Sequence, residues 1–462
     1  MSVDAVLARI DQDLDKSLER LFELLRIPSI STDPAYRDSC RAAADWLAAE
    51  LTGLGFDASV RPTDGQPMVV AHYPSRDTAN DGRVLFYGHY DVQPVDPLEL
   101  WNTQPFEPAI VTRDDGSKMI VARGAADDKG QLMTFVEAAR AWVAETGGLP
   151  VPVTILFEGE EESGSPSLAP FLNAHMDELK ADAAFVCDTG MWDRQTPAIS
   201  TSLRGLVTGE LTITAADKDL HSGLFGGAAR NPNHVLAKIL SDLHDDQGRV
   251  QIPGFYDGVP EVPAEVKAAW DALDFSDEEF LGQVGLKKPA GEADRSALEQ
   301  IWARPTAEVN GMIGGYTGAG FKTVIPAQAS AKVSFRLVGS QDPAKIVDAF
   351  HAFVRERLPA DCSVSFTSHG ASPALSIPAD SPVLQKGREA LRAEWDVEPL
   401  MIGMGGSIPI VGAFRDKLGM DTLLMGFGLD DDRIHSPNEK YEKTSFHKGI
   451  RSWARMLGLL AN

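Results

Sequence analysis

The sequence predicts an α/β protein with a mainly parallel sheet, interrupted by a smaller α+β insertion. Three observations carry this reading. Short apolar runs alternate with segments of helical period through the first two hundred residues, as when buried strands lie between helices. Near Arg204 the pattern changes to apolar residues alternating with polar or small ones, the mark of strands with one wet face. From about Ser372 the first pattern resumes. The expected division is therefore 1–203 and 372–462 for the interrupted α/β domain and 204–371 for the insertion. A chain of 462 residues is in any case too long for one comfortable core.

Val6, Leu7, Ile10, Leu14, Leu18, Leu21, Phe22 and Leu25 recur at helical spacing, so the chain opens with an amphipathic helix that stops near Pro28. A second helix is expected at Arg41 to Leu54, closed by Gly55. Apolar runs follow at Met68 to His72 and Val84 to Tyr87, the latter leading into Gly88, His89, Tyr90 and Asp91. Gly130 to Thr146 reads as a helix, Val151 to Phe157 as a buried strand, and Ala183 to Cys187 as another with Asp188 at its end. In the insertion, strands are expected at Leu206 to Ala215, Ala327 to Val338 and Ser363 to Thr367, with helices at Asn233 to Leu243 and Pro343 to Leu358. A Pro- and acid-rich stretch, Gly248 to Pro305, shows only short helical pieces. A strand at Thr422 to Gly426 and a helix from Ser445 to Leu460 close the chain.

The net charge of −24 opposes binding to phosphate backbones and anionic membranes, so neither nucleic acid nor a membrane is an expected partner. Cys40, Cys187 and Cys362 are widely spaced and odd in number, which indicates neither a disulfide framework nor a cysteine zinc site. The N-terminus lacks a signal-type apolar core, and no run of about 18 apolar residues occurs. A soluble cytoplasmic protein is expected.

The organising stretch is Glu158 to Ser165, EGEEESGS, where three consecutive acids follow a buried strand and no Lys or Arg lies within ten residues. Unpaired buried carboxylates are costly, so the triplet either faces water or meets a cation from outside. His89 and Asp91 stand two apart, on one side of an extended backbone, where a carboxylate can orient an imidazole. RGAADDKG, Arg123 to Gly130, places two aspartates just before a helix, and an N-cap role accounts for only one of them. Asp188 and His435 lie at or near further expected strand ends. Imidazole with carboxylate suits zinc, manganese or cobalt. Two such ions ~3.5–4 Å apart would share a bridging carboxylate and a water. Three ligating carboxylates and a hydroxide would neutralise two divalent ions, leaving one acid of the glutamate pair as general base. The alternative is chance placement of acids in a very acidic chain.

Seven stretches sharpen the choice: GHYDVQP (Gly88 to Pro94), RGAADDKG, EGEEESGS, DLHSGLFGG (Asp219 to Gly227), KTVIP (Lys322 to Pro326), GGSIP (Gly405 to Pro409) and HSPNEK (His435 to Lys440). Their order resembles that of the di-zinc aminopeptidase, aminoacylase and carboxypeptidase G family, and most closely its carnosinase-like dipeptidase branch. The resemblance implies a catalytic α/β domain interrupted by a ferredoxin-like lid that also forms a homodimer interface. It puts His89, Asp127, Glu162, Asp188 and His435 on two divalent metal ions, zinc first, with Asp127 bridging. Glu161 becomes the general base, Asp91 the partner of His89, and the Asp127–Asp128 peptide cis. In the lid, His221 would reach the partner subunit's site to stabilise an oxyanion, while Thr323, Arg336, Ser407 and Asn310 would hold substrate. Arg336 is the natural clamp for a free carboxylate.

The implied activity is hydrolysis of the amide bond in dipeptides or short peptides with a free C-terminal carboxylate, by a metal-bound hydroxide. An N-acyl-amino-acid deacylase needs the same machinery with another acyl pocket, and a non-catalytic metal-binding scaffold with a relic site would have lost a ligand or the base. One departure stands out. Gly403 and Met404 occupy the place of an Arg-Glu pair in the carnosinase-like branch, so the pocket lacks two charges and carnosine itself is not the expected substrate.

Overall fold

A computed structural model describes residues 3–75, 82–378, 380–406 and 408–461. They divide into two compact units: Met1–Thr201 with Ile377–Ile402 and Ala413–Asn462, and Ser202–Ser376 with Gly403–Gly412.

The first unit is built on one sheet whose central strands are parallel. Val84–His89 lies between Val153–Glu158 and Ala183–Val186, parallel to both, and Asp421–Leu424 runs parallel to Ala183–Val186 on its other side. These strands are buried along their whole length apart from Asp421, which is why they read as continuous apolar runs rather than alternations. The antiparallel pair Asp57–Arg61 and Met68–Tyr73 extends the sheet beyond Val153–Glu158. The Asp57–Arg61 strand is partly exposed throughout and carries no apolar run, so periodicity could not find it.

Helices Val3–Leu25, Lys129–Thr146, Pro382–Trp395 and Lys443–Leu460 pack against one another as a layer. Lys129–Thr146 is buried around most of its circumference and stops at Gly147, whose φ of 80° lies in the left-handed region that a helix C-terminus favours. Trp453 sits at the centre of the core, with ring centroids 5.5 Å from Phe86, 5.6 Å from Phe135 and 5.4 Å from Phe185. Phe86 and Phe135 stack directly at 4.0 Å. A small antiparallel sheet, Ala109–Thr112, Lys118–Val121 and Lys440–Glu442, ties the chain's last motif to the segment just before Arg123.

The second unit holds a four-stranded antiparallel sheet in the spatial order Thr306–Gly314, Gln328–Leu337, Gly205–Thr214 and Ser363–Ser372. With helices Pro232–Ser241 and Pro343–Arg357 the chain order is βαββαβ, the ferredoxin-like arrangement. Its core joins Leu211 and Ile213 to Leu236, Phe335, Phe350 and Phe353. The strand Thr306–Gly314 was missing from the sequence expectation because only Ala307 in it is buried and it carries Gly311 and Gly314, so no alternation is visible. The stretch 248–305 resolves into helices Ala264–Asp271, Asp277–Gly282 and Ala297–Trp302. The last starts at a capping box in which Ser296 and Glu299 exchange hydrogen bonds. Among the described residues, no helix is long and apolar enough to cross a membrane.

Candidate metal centre

The first unit's parallel strands carry their carboxyl ends to one edge, where α/β sheets place their sites. Val84–His89 ends on His89, which lies beside Glu158 in register. The turn 159–162 follows Glu158, and Asp188 stands two residues past Val186. Two groups of side chains come together there. His89, Asp127 and Asp188 form one, Asp127, Glu162 and His435 the other, each with candidate ligand atoms within 4.8 Å of one another.

Asp127 is the shared member. Its Oδ1 lies 3.1 Å from His89 Nε2 and its Oδ2 3.0 Å from His435 Nε2. His435 Nε2 is also 3.2 Å from Glu162 Oε2, which accepts a 2.8 Å hydrogen bond from Gln93 Nε2. His89 is fully buried. Its Nδ1 has the Asp91 carbonyl at 3.2 Å, whereas Nε2, despite its closeness to Asp127, is misdirected for a hydrogen bond and has no partner.

Asp91 and Asp128 explain how this cluster is held. The Asp91 carboxylate lies 3.5 Å from His89 Nδ1 and accepts the backbone N–H groups of Glu161 at 3.2 Å and Glu162 at 3.0 Å. It therefore fixes the glutamate turn as well as facing the imidazole. Asp128 is the residue at the N-cap of helix Lys129–Thr146, yet its side chain does not cap the helix. Its Oδ2 instead accepts the His89 backbone N–H at 3.1 Å, and the Asp127–Asp128 peptide is cis. A Cβ on Gly88 would fall 2.9 Å from that same oxygen, so only glycine lets the aspartate come this close.

The third acid of the triplet, Glu160, turns away from the histidines. It accepts N–H groups from Gln66 at 2.9 Å and Ser167 at 3.1 Å, against Gly65, where a Cβ would lie 1.6 Å from its Oε1.

Charge is crowded at this edge. Burial pushes the Glu161 carboxyl up to about 8; His89 opposes the shift, and the charges of Asp188, Glu162 and Asp91 add to it. Asp188 stands well above the usual carboxylate range, from burial and then from Asp127 and Asp128. Glu162 is raised by burial, against its hydrogen bond with His435. Asp127 is held far down: against its burial, the hydrogen bond with His435 and the close approach of His89 prevail. Among the described residues, the ion-pair partners of Asp127, Glu162 and Asp188 are His89 and His435 alone. Two imidazoles, an excess of buried carboxylates and one orphaned imidazole nitrogen make a donor set that fits divalent cations of the zinc, manganese or cobalt type. The Glu161 carboxylate belongs to neither group.

The remaining predicted residues belong to the second unit. His221 is exposed. Its Nδ1 accepts the Gly223 N–H at 2.9 Å, and the strand Leu220–His221 pairs with Val324–Ile325, which brings Thr323 alongside, its carbonyl accepting the Ser222 N–H at 3.1 Å. Arg336 is half-buried, in register with Leu206 and Thr306. Asn310 is the extra residue of a β-bulge between Val309 and Gly311, and is exposed. Ser407 lies outside the described residues.

Sequence reasoning missed Arg204, whose Nε donates to the Gly405 carbonyl at 2.9 Å while its backbone N–H bonds the Gly406 carbonyl at 3.1 Å. Burial, with Arg336 nearby, lowers its pKa to about 10. The departure at Gly403 has a steric cause: a Cβ there would sit 2.5 Å from Trp302 Cβ and 2.9 Å from its Cγ, so Trp302 fills the space of any side chain at 403.

The chain matches the family model "Peptidase family M20/M25/M40" over residues 85–458. It is 32% identical to a Schizosaccharomyces pombe protein named Cys-Gly metallodipeptidase dug1, over 100% of this chain and 99% of that one. The crystal structure of an M20 family metallo-carboxypeptidase from Sulfolobus solfataricus superposes with a TM-score of 0.85 at 33% identity, covering 96% of this chain and 99% of the other. That of human carnosine dipeptidase 1 superposes at 0.83 and 26%, covering 100% and 99%.

Proposed function

The chain belongs to the M20/M25/M40 peptidase family and is a metal-dependent dipeptidase, and we propose that its reaction runs at the edge built by His89, Asp127, Glu162, Asp188 and His435. The observation that carries this is the sharing of Asp127 between two imidazole-carboxylate groups, with Glu161 beside them and in neither. His89, Asp127 and Asp188 would hold one divalent ion, and Asp127, Glu162 and His435 the other, zinc in both. Bound there, the ions supply an acidified water and a Lewis acid for the scissile carbonyl. Glu161 takes the proton of the attacking water and delivers it to the leaving amine. Asp91 keeps that base in place through the N–H groups of Glu161 and Glu162.

Arg336 clamps the free C-terminal carboxylate of the substrate, with Thr323, Asn310 and Ser407 completing the hold. His221 stabilises the oxyanion in the partner subunit of a homodimer. Gly403 against Trp302 supports a substrate without a charged partner for that position, distinct from carnosine. The test is to strip the protein with a chelator, reload it with zinc, manganese or cobalt, and screen dipeptides against N-acetyl and N-succinyl amino acids. Metal-restored cleavage of dipeptides with a free carboxylate is expected. Preferential turnover of the N-acyl amino acids would make it a deacylase, and no turnover with any metal would make it a relic.

A further inference from the structure

Glu439, in HSPNEK, is fully buried and bonds neither histidine, yet among the described residues no other carboxylate of the first unit holds so much backbone beside the candidate ligands. Its Oε1 accepts the N–H groups of Ala126 at 2.9 Å and Asp127 at 3.1 Å. Its Oε2 accepts the N–H of Gly124 at 2.9 Å and Arg123 Nη1 at 2.7 Å. The Glu439 carbonyl takes the Ala122 N–H at 3.2 Å. One residue thus clamps the loop 122–127, which ends on Asp127, to the segment that carries His435 four residues earlier. Arg123 is itself buried and spends Nη2 on the Pro94 carbonyl at 2.9 Å, so the clamp's counter-charge is internal to it.

We propose that Glu439 is a positioning residue for the metal position formed by Asp127, Glu162 and His435, an inference that rests on the metal-centre reading above. The two metal positions depend on it unequally. His89 and Asp188 stand at the ends of paired parallel strands and owe their places to the sheet. Asp127 and His435 are both on loops, and their 3.0 Å approach is set by how 122–127 lies against 435–439. All four partners of the Glu439 carboxylate are donors, and only a carboxylate offers acceptors on both sides. An amide at this position would turn an NH₂ group onto N–H donors on one side.

The test is a Co²⁺ titration of metal-free wild type and Glu439→Gln, followed by calorimetry and by the cobalt absorption bands, with thermal stability recorded alongside. Wild type is expected to take two ions. In the variant the ion at the Asp127–Glu162–His435 position should bind roughly 10–100-fold more weakly, the cost usual for losing the groups that orient a ligand, and the ion that shares only Asp127 with that position should weaken by less. A purely structural role would lower thermal stability and leave the two affinities in their wild-type ratio. That result, or two unchanged affinities, overturns the inference while leaving the metal centre intact. A wild type that takes fewer than two ions overturns both. Should Glu439→Gln not fold, Glu439→Asp keeps the charge but draws the carboxylate back by one methylene, and the same titration decides in the same terms.

Discussion

Replacing Glu161 and Glu162 one at a time by glutamine separates two roles that adjacent identical residues would otherwise blur. Glu162 lies 3.2 Å from His435 Nε2, within the group that also contains Asp127, while the Glu161 carboxylate belongs to neither group. Glutamine keeps the size of either side chain and leaves both backbone N–H groups on Asp91. Glu161→Gln should therefore retain both ions and lose only proton transfer. A positioned general base contributes about 10²–10⁴ in rate, or about 3–5 kcal/mol of transition-state stabilisation, so kcat should fall by at least ~10² with KM little changed. Glu162→Gln removes a charged donor from one group and should lose one ion under mild chelation. The assay pairs metal content by mass spectrometry with initial rates on a cleaved dipeptide. If Glu161→Gln loses metal as Glu162→Gln does, Glu161 is a ligand and the assignment of the base is wrong.

Arg336→Ala and amidation of the substrate C-terminus should each raise KM by the ~1.5–3 kcal/mol of a charge-assisted hydrogen bond, and the two losses should not add, since both remove the same contact; additive losses would move Arg336 elsewhere. Co-expressed, differently tagged His221→Ala and Glu161→Gln subunits, isolated as mixed dimers, should regain about half of wild-type activity if His221 acts across the dimer, because one site then carries both changes and the other neither. No recovery would keep His221 in its own subunit. Gly403→Ala should cost about 1–3 kcal/mol by overpacking against Trp302. Trp302→Gly in the same chain removes the Cβ as well as the indole and should relieve that clash, and a simple sum of the two single losses would show that Trp302 is not the obstacle.

The apolar strands of the first unit were legible because burial on both faces leaves no choice of residue, and their ends pointed to His89, Glu161, Glu162 and Asp188. The Gly130 to Thr146 helix was legible for the same reason. What the sequence could not supply is which way a carboxylate turns. Asp127 and Asp128 are chemically identical and adjacent, yet one faces two imidazoles and the other the His89 backbone N–H. Local spacing contains no term for that difference, which arises where the helix start meets the end of a strand 39 residues earlier. The resemblance could name Asp127 only because it brought a fold with it. Arg204 and Trp302 were invisible for a related reason: each matters through Gly403 to Gly406, a hundred residues or more away. The strand Thr306–Gly314 escaped because a mostly exposed edge strand has no buried face to impose a period.

The acids of this edge divide by what they face. Asp127, Glu162 and Asp188 face imidazoles, where their charge calls for a cation. Asp91, Asp128 and Glu439 face backbone N–H groups of the very segments that carry the others, and Glu160 faces those of Gln66 and Ser167. A backbone amide can satisfy a buried carboxylate without bringing a proton that could be lost or a charge that would compete with a metal ion. An arginine or lysine in the same place would satisfy the carboxylate too, but would repel the ions a few ångströms away. Glu439 shows the compromise, since its one guanidinium partner, Arg123, approaches on the oxygen that does not hold Asp127. The backbone-facing acids are thus part of the same electrostatic problem as the ligands, solved with dipoles in place of charges, and a glutamine or asparagine in any of the four would reverse one of those dipoles where the loops have least room to turn.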